Sequence, residues 1–234
     1  MIIQGEKSTP VRYLPFGDSG LLIELGDVID LKTNCRVIAL SDAIVKASIQ
    51  GIEELVPTYR SLLIRYDPQK ISFEKLVNRA KDIEKAPMPT TRREGKRIVI
   101  PVIYGGEYGP DIGYVAKTHE LTEELVIKLH SERQYRVYMI GFIAGFPYLG
   151  EVADEIATPR LETPRLKVPA GSIGIAEKQT GIYPCEAPGG WQIIGRTAIR
   201  LFNPAKRPPT PLEAGDRVRF KSISENEYNA LTRE

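Results

Sequence analysis

HSERQYRVYMIGFIAGFPYLGEVADEIATPRLETPRLKVPAGSIGIAEKQTGIYPCEAPGGWQIIGRT, residues 130–197, is the stretch that decides the fold. Almost no helical periodicity survives in it. Ten of the chain's 18 prolines and ten of its 20 glycines fall between Gly141 and Gly215. Proline fixes φ and removes a backbone donor, and glycine admits positive φ or the close approach of another group. So many special backbone positions predict short strands joined by loops of fixed shape. Between the turns stand Arg160, Arg165, Ser172, Gln179, Thr180, Tyr183, Trp191 and Arg196, a mix that suits a small-molecule pocket.

Around this stretch the pattern is consistent. Lys96–Tyr104 reads as a strand, with Ile98, Ile100 and Val102 alternating. Pro110 and Asp111 open a short helix. Thr122 caps another, with Glu123 and Glu124 in its first turn and Leu121 and Val126 spaced as a hydrophobic staple. Tyr135–Ile140 returns to strand. Beyond Gly141 only strands and shaped loops are expected, with a turn at 213–216 and a last strand at Arg217–Ile223. Few helices and many short strands predict a mainly-β, closed or nearly closed barrel over residues 96–234.

Residues 1–87 read differently. Strands at Arg12–Phe16 and Leu21–Leu25 flank a Gly-Asp-Ser-Gly turn. Asp30 is placed to cap a helix whose face carries Leu31, Cys35, Ile38, Val45 and Ile49, with Gly51 placed to end it. Strands at Ile52–Val56 and Tyr59–Tyr66 follow. Ser72 caps a second helix with Phe73, Leu76, Val77, Ala80 and Ile83 on its apolar face. The order ββαββα predicts a two-layer α+β domain, ferredoxin-like in class, with both helices on one sheet face. The proline-rich, charged segment 88–95 reads as the linker between the domains.

Composition excludes several classes. A net charge of +2 gives no basic field for nucleic acid. No segment approaches the ~20 apolar residues that span a bilayer, and MIIQGEKSTP at the start carries no leader-like apolar run. Two scattered cysteines, Cys35 and Cys185, make no disulfide framework, which points to a reduced, cytoplasmic setting. With only His119 and His130 as histidines there is no zinc-ligand pattern, and no bound metal is expected. Neither a phosphate loop of the GxxxxGK type nor a GxSxG elbow occurs. Any anion must therefore be met by arginines on shaped loops. Arg165 and Arg196 lead and Arg160 follows, because a guanidinium presents a planar fork to carboxylate or phosphate. Trp191, after Gly189 and Gly190, reads as a pocket wall or plug. Phe146 and Tyr148 can line the same cavity. Ser172, Gln179 and Thr180 can hydrogen-bond an amide or lactam. His130 falls at the end of the helix capped by Thr122, where the helix dipole favours its protonated form.

GFIAGFPYLG (141–150), PRLETPRLKVPAGSIGIAEKQTGIYP (159–184) and APGGWQIIGRT (187–197), supported by FGDSGLLIEL (16–25), resemble the family of 5-oxoprolinase B subunits. That family is also called allophanate hydrolase subunit 1, and it includes an inhibitor of a sporulation sensor histidine kinase. Ala144, Glu177, Ala187 and Ala198 depart from it, standing where the family usually has proline, glycine, serine and proline. The resemblance implies a cyclophilin-like barrel and a share in ATP-dependent opening of 5-oxo-L-proline to L-glutamate. It implies ATP with Mg as the nucleotide. It also implies two partners. One is the C subunit of 5-oxoprolinase, itself cyclophilin-like and akin to biotin-dependent carboxyltransferases. The other is the A subunit. On this reading His130, Arg165 and Gln179 are catalytic. Arg160, Ser172, Thr180, Trp191, Arg196, Phe146 and Tyr148 bind substrate or nucleotide. The alternative is a protein-binding inhibitor of a histidine kinase, and proline isomerisation by analogy of fold ranks last.

Overall fold

A computed structural model describes residues 10–86 and 95–233. The chain divides into two compact units, Met1–Arg93 and Glu94–Glu234. The expected linker lies outside the described residues except for Gly95.

The first unit runs β1 (Arg12–Pro15), β2 (Gly20–Glu24), α1 (Leu31–Ala47), β3 (Ile52–Pro57), β4 (Ser61–Tyr66) and α2 (Phe73–Lys85). Its sheet has the order β1-β2-β4-β3, antiparallel throughout. Period-2 alternation sends Leu21, Ile23, Leu62 and Ile64 to one face, where they meet Val37, Leu40 and Ile44 of α1 and Leu76 and Ala80 of α2. The Asp30 carboxylate accepts the Thr33 amide and caps α1, and Ser72 caps α2 in the same way. Gly51 does not end α1. The helix stops at Ala47 because Ser48 takes the left-handed conformation, φ 45°, and its amide turns back to the Val45 carbonyl.

The second unit is built on a closed seven-stranded barrel. Its strands are β5 (Arg97–Tyr104), β6 (Gln134–Ile140), β7 (Pro147–Gly150), β9 (Ser172–Ala176), β10 (Gln179–Ile182), β12 (Gln192–Arg196) and β13 (Arg217–Ser222). They close in the order β10-β7-β6-β13-β5-β12-β9, and only β5 and β13 run parallel. α3 (Ile112–Thr118) and α4 (Glu123–Ser131) add Val115 and Val126 to the barrel's core, beside Val102, Val137, Leu149, Ile173, Ile175, Ile182 and Ile194. β8 (Arg165–Val168) and β11 (Ala187–Gly189) form a separate two-stranded ribbon.

Two helical elements stand where only strands and loops are expected. One is a 3₁₀ turn at Asp154–Ile156. The other is α5 (Glu225–Leu231), opened by a full capping box between Ser224 and Glu227. That box is written in the sequence as Ser-Glu-Asn-Glu, so the signal for α5 was present.

The turn joining β9 to β10 explains one departure from the family pattern. Glu177 is the first of its two central residues, and its φ is +53°. A left-handed backbone at that position favours glycine, the residue the family usually has there. Glu177→Gly should therefore leave stability unchanged or raise it by up to ~1 kcal/mol, the usual strain of a non-glycine residue in this region offset by the entropy of glycine. Urea denaturation of the two proteins measures the difference; a loss above ~1 kcal/mol would show that the Glu177 side chain itself holds the turn.

Candidate functional site

β9 is buried at all five of its residues, so both of its faces pack. Ile173 and Ile175 point into the barrel. Ser172, Gly174 and Ala176 alternate to the outer face. There a second apolar cluster forms from Phe146, Val168, Ala176, Tyr183, Ala187, Trp191 and Ile193. Gly174 and Gly181 face each other across β9 and β10. A Cβ on Gly174 would come within 2.8 Å of Trp191, and one on Gly181 within 2.7 Å of the Phe146 ring. The two missing side chains let the Phe146 ring and the Cβ of Trp191 lie directly on the sheet.

The rings interlock edge to face. Phe146 meets Tyr148 at 4.9 Å, Tyr183 at 5.2 Å and Trp191 at 5.4 Å between centroids. The Arg160 guanidinium sits 5.9 Å from the Trp191 ring centre. Burial pushes the Tyr183 phenol up to about 12 and also raises Tyr148, opposed in both by the Arg160 charge. Trp191 is 5% exposed and serves as the plug of this cluster.

The three arginines proposed for anion binding have different surroundings. Arg165 Nη2 contacts Asp111 Oδ1 at 2.6 Å, and the other carboxylate oxygen accepts the Ile193 amide at 2.6 Å. Asp111 makes no side-chain capping bond to α3, although it directly precedes that helix. It joins the ribbon to β12 instead. Its role was hidden in the sequence because Arg165 lies 54 residues away. Arg160 rests on the aromatic cluster. Arg196 is the exception. Its Nε is buried without a partner, no carboxylate among the described residues pairs with it, and its guanidinium stands 5.5 Å from the Tyr108 ring centre. Its register partner on β9 is Ser172, fully buried, whose Oγ also lacks a partner. Tyr108 is held by Tyr228 of α5, 5.0 Å away, and donates to Glu225. Nothing in the sequence pattern singled out Tyr108.

His130 and Thr180 lie elsewhere, inside the barrel. His130 is fully buried and stacks on Phe220 at 4.6 Å. Its Nδ1 is 2.8 Å from the Tyr104 hydroxyl and its Nε2 is 3.0 Å from Thr180 Oγ1, which donates to the Gly174 carbonyl. With that single hydroxyl proton committed, Thr180 must accept from Nε2–H, so Nδ1 accepts from Tyr104. Each polar group along this hydrogen-bonded relay is satisfied with His130 neutral. The expectation of a protonated His130 is corrected accordingly: desolvation lowers its pKa to about 3. A helix terminus offers at most ~2 kcal/mol to a cation, less than burial takes away. The structure therefore brings Arg160, Arg165, Phe146, Tyr148, Ser172, Trp191 and Arg196 to the outer face. Gln179 pairs with Ala176 and alternates to that face too, whereas His130 and Thr180 face the core.

The model for the carboxyltransferase domain, subdomain C and D, matches residues 11–212. The B subunit of 5-oxoprolinase from Bacillus subtilis (strain 168) is 44% identical over 96% of this chain and 98% of its own length. The crystal structure of PH0987 from Pyrococcus horikoshii is 52% identical, covers 93% of this chain and all of its own, and superposes with a TM-score of 0.56. That of TTHA0988 is 36% identical with a TM-score of 0.78 over 88% of this chain, which spans only 40% of that longer one.

Two outcomes follow from these environments. Arg165→Ala strands a carboxylate that is 10% exposed, so it should destabilise the protein by ~3 kcal/mol. Arg165→Ala combined with Asp111→Ala should cost clearly less than the sum of the single changes, a coupling of at least ~1 kcal/mol in a urea double-mutant cycle. The second concerns pH. The unfolded chain takes up a proton on His130 near 6.5, and the folded chain refuses it until about 3. The unfolded state binds more protons in that window, so stability must fall as pH drops from 6.5 toward 3. Carboxylates titrate there as well. The comparison is therefore with His130→Gln, whose pH profile should decline less steeply; parallel profiles would mean that His130 takes up its proton at the same pH in the folded and the unfolded chain.

Proposed function

The chain belongs to the carboxyltransferase subdomain C and D family, and we propose that it works as the B subunit of a 5-oxoprolinase. It is one component of an ATP-dependent hydrolase that opens the lactam of 5-oxo-L-proline to L-glutamate. Kinship with 5-oxoprolinase B subunits along the whole chain carries this conclusion. No feature described above favours a histidine-kinase inhibitor.

The finer points rest on physical argument. A lactam carbonyl is a poor electrophile, and ATP, with Mg, supplies the phosphoryl group that makes its oxygen a leaving group. The residues that fit an anion are on the outer barrel face, where Arg196 keeps a guanidinium with no carboxylate partner among the described residues. On the same outer face, Arg160 and Trp191 offer a cationic, aromatic wall. Ser172 and Gln179 add hydrogen-bonding groups for an amide. These side chains bind and orient; none forms a nucleophile with an adjacent base, which fits a site completed by the C subunit, with the A subunit required for turnover. A cyclophilin-like class for the barrel is supported by its closed mixed sheet and by the site's position outside the barrel. The ferredoxin-like class of the first unit is supported by its strand order, that of a split β-α-β sheet with the last strand moved to the front. Free thiols at Cys35 and Cys185 support a cytoplasmic setting, and no described helix is long and apolar enough to cross a membrane.

Mixing the purified chain with the A and C subunits should give glutamate from 5-oxoproline only when ATP is added, and the chain alone should give essentially none. Full activity from the isolated chain would disprove the shared site. No activity from the complete mixture would disprove the 5-oxoprolinase assignment.

A further inference from the structure

The geometry points to Arg196 and Ser172 as the receptor for the single carboxylate of the substrate, with Tyr108 positioning the guanidinium. This rests on the 5-oxoprolinase reading and adds to it the group that selects a carboxylate-bearing lactam.

The observations are independent of one another. Only four buried side-chain atoms among the described residues lack a hydrogen-bond partner, and two of them, Arg196 Nε and Ser172 Oγ, belong to residues directly opposed on β12 and β9. Both can donate. On an antiparallel pair, opposed side chains share a face with Cβ atoms ~5 Å apart, so one oxyanion can lie against both. Of the other two anion candidates, Arg165 is committed to Asp111, whereas Arg160, which also lies on a ring, has no buried donor left without a partner. Arg196 instead has its guanidinium against Tyr108, which is itself pinned by Tyr228 and Glu225. A cation–π contact with a ring holds the guanidinium in place without using its N–H donors, which stay available to a carboxylate.

Charge separates carboxylate from nucleotide. One guanidinium balances one carboxylate, whereas a triphosphate carries several charges and is met by several cations or a metal. Ser172 Oγ has no hydrogen-bond partner among the described residues, so a carboxylate oxygen would satisfy it without displacing another.

The test uses the enzyme assembled with its A and C subunits, with initial rates measured against 5-oxoproline and against ATP. Arg196→Gln should raise KM for 5-oxoproline at least tenfold and leave KM for ATP within twofold. Binding of 2-pyrrolidinone, the same ring without a carboxylate, should be unchanged. Arg196→Lys should recover part of the loss, because a point charge replaces the planar fork incompletely. Tyr108→Leu should raise KM for 5-oxoproline less than Arg196→Gln does, and Arg196→Gln should remove the effect of Tyr108→Leu. Ser172→Ala should raise the same KM three- to tenfold while the melting temperature of the chain stays level or rises, since a buried hydroxyl without a partner is removed. That opposition of function and stability cannot come from a merely structural role. A rise in KM for ATP instead would assign the pair to phosphate and overturn the proposal. So would unchanged kinetics in Arg196→Gln and Ser172→Ala, or a loss of activity that only follows a lowered melting temperature. Inactivity of the unmutated assembly would instead overturn the 5-oxoprolinase reading, before any variant is compared.

Discussion

The strand from Ser172 to Ala176 is buried on both sides, and the second unit is arranged around that fact. A barrel strand normally alternates between core and solvent, which requires only one apolar face. Here the inner face carries Ile173 and Ile175, and the outer face carries Ser172, Gly174 and Ala176, all small. Small outer residues let large rings from other loops come down on the sheet. Phe146 and Trp191 fill the space where Gly181 and Gly174 have no side chain. Trp191 and the β8–β11 ribbon bring two arginines with them: Arg165, whose guanidinium meets the Asp111 carboxylate, and Arg160, over the indole.

Electrostatics then sorts residues that look alike. A guanidinium beside a buried carboxylate, as at Arg165, is committed to holding the ribbon, because removing either partner leaves a charge in a poorly solvated place. A guanidinium on a ring keeps its hydrogen-bonding edge available. Arg165 and Arg196 both stand in motif blocks and both follow backbone-special residues, Pro164 and Gly195, and no spacing rule separates them. What separates them is Asp111, which reads from sequence as the opening of a helix and serves instead as an ion-pair hub.

The legible part of the fold was the part governed by local chemistry. Alternating Ile98, Ile100 and Val102 announce β5, and Asp30, Ser72 and Thr122 each cap the helix that follows them. Glycine and proline density announces the shaped loops. The missed part was non-local. Closure of seven strands with β5 beside β13 pairs residues more than a hundred positions apart, and no window of sequence encodes it. The same holds for the site: its aromatic and arginine members could be named, but the partners that fix their roles, Asp111 and Tyr108, come from a helix start and a loop. α5 is the different case, since its capping box is legible in the sequence although only strands and loops are expected beyond Gly141.

His130 shows how burial can reverse a reading that each local rule supports. It lies in the last turn of α4, where a cation is favoured by at most ~2 kcal/mol. A fully buried imidazolium must repay desolvation worth several pKa steps, each ~1.4 kcal/mol, with no counter-charge against it. The neutral ring costs nothing comparable, because Tyr104 supplies the proton that Nδ1 accepts and Thr180 takes the one that Nε2 gives. The Thr180 proton in turn ends on the Gly174 carbonyl. The direction of every hydrogen bond is thus forced by the last one, and Gly174 is the residue whose bare outer face admits Trp191. One position of β9 therefore ends the polar relay inside the barrel and gives the aromatic plug its footing outside.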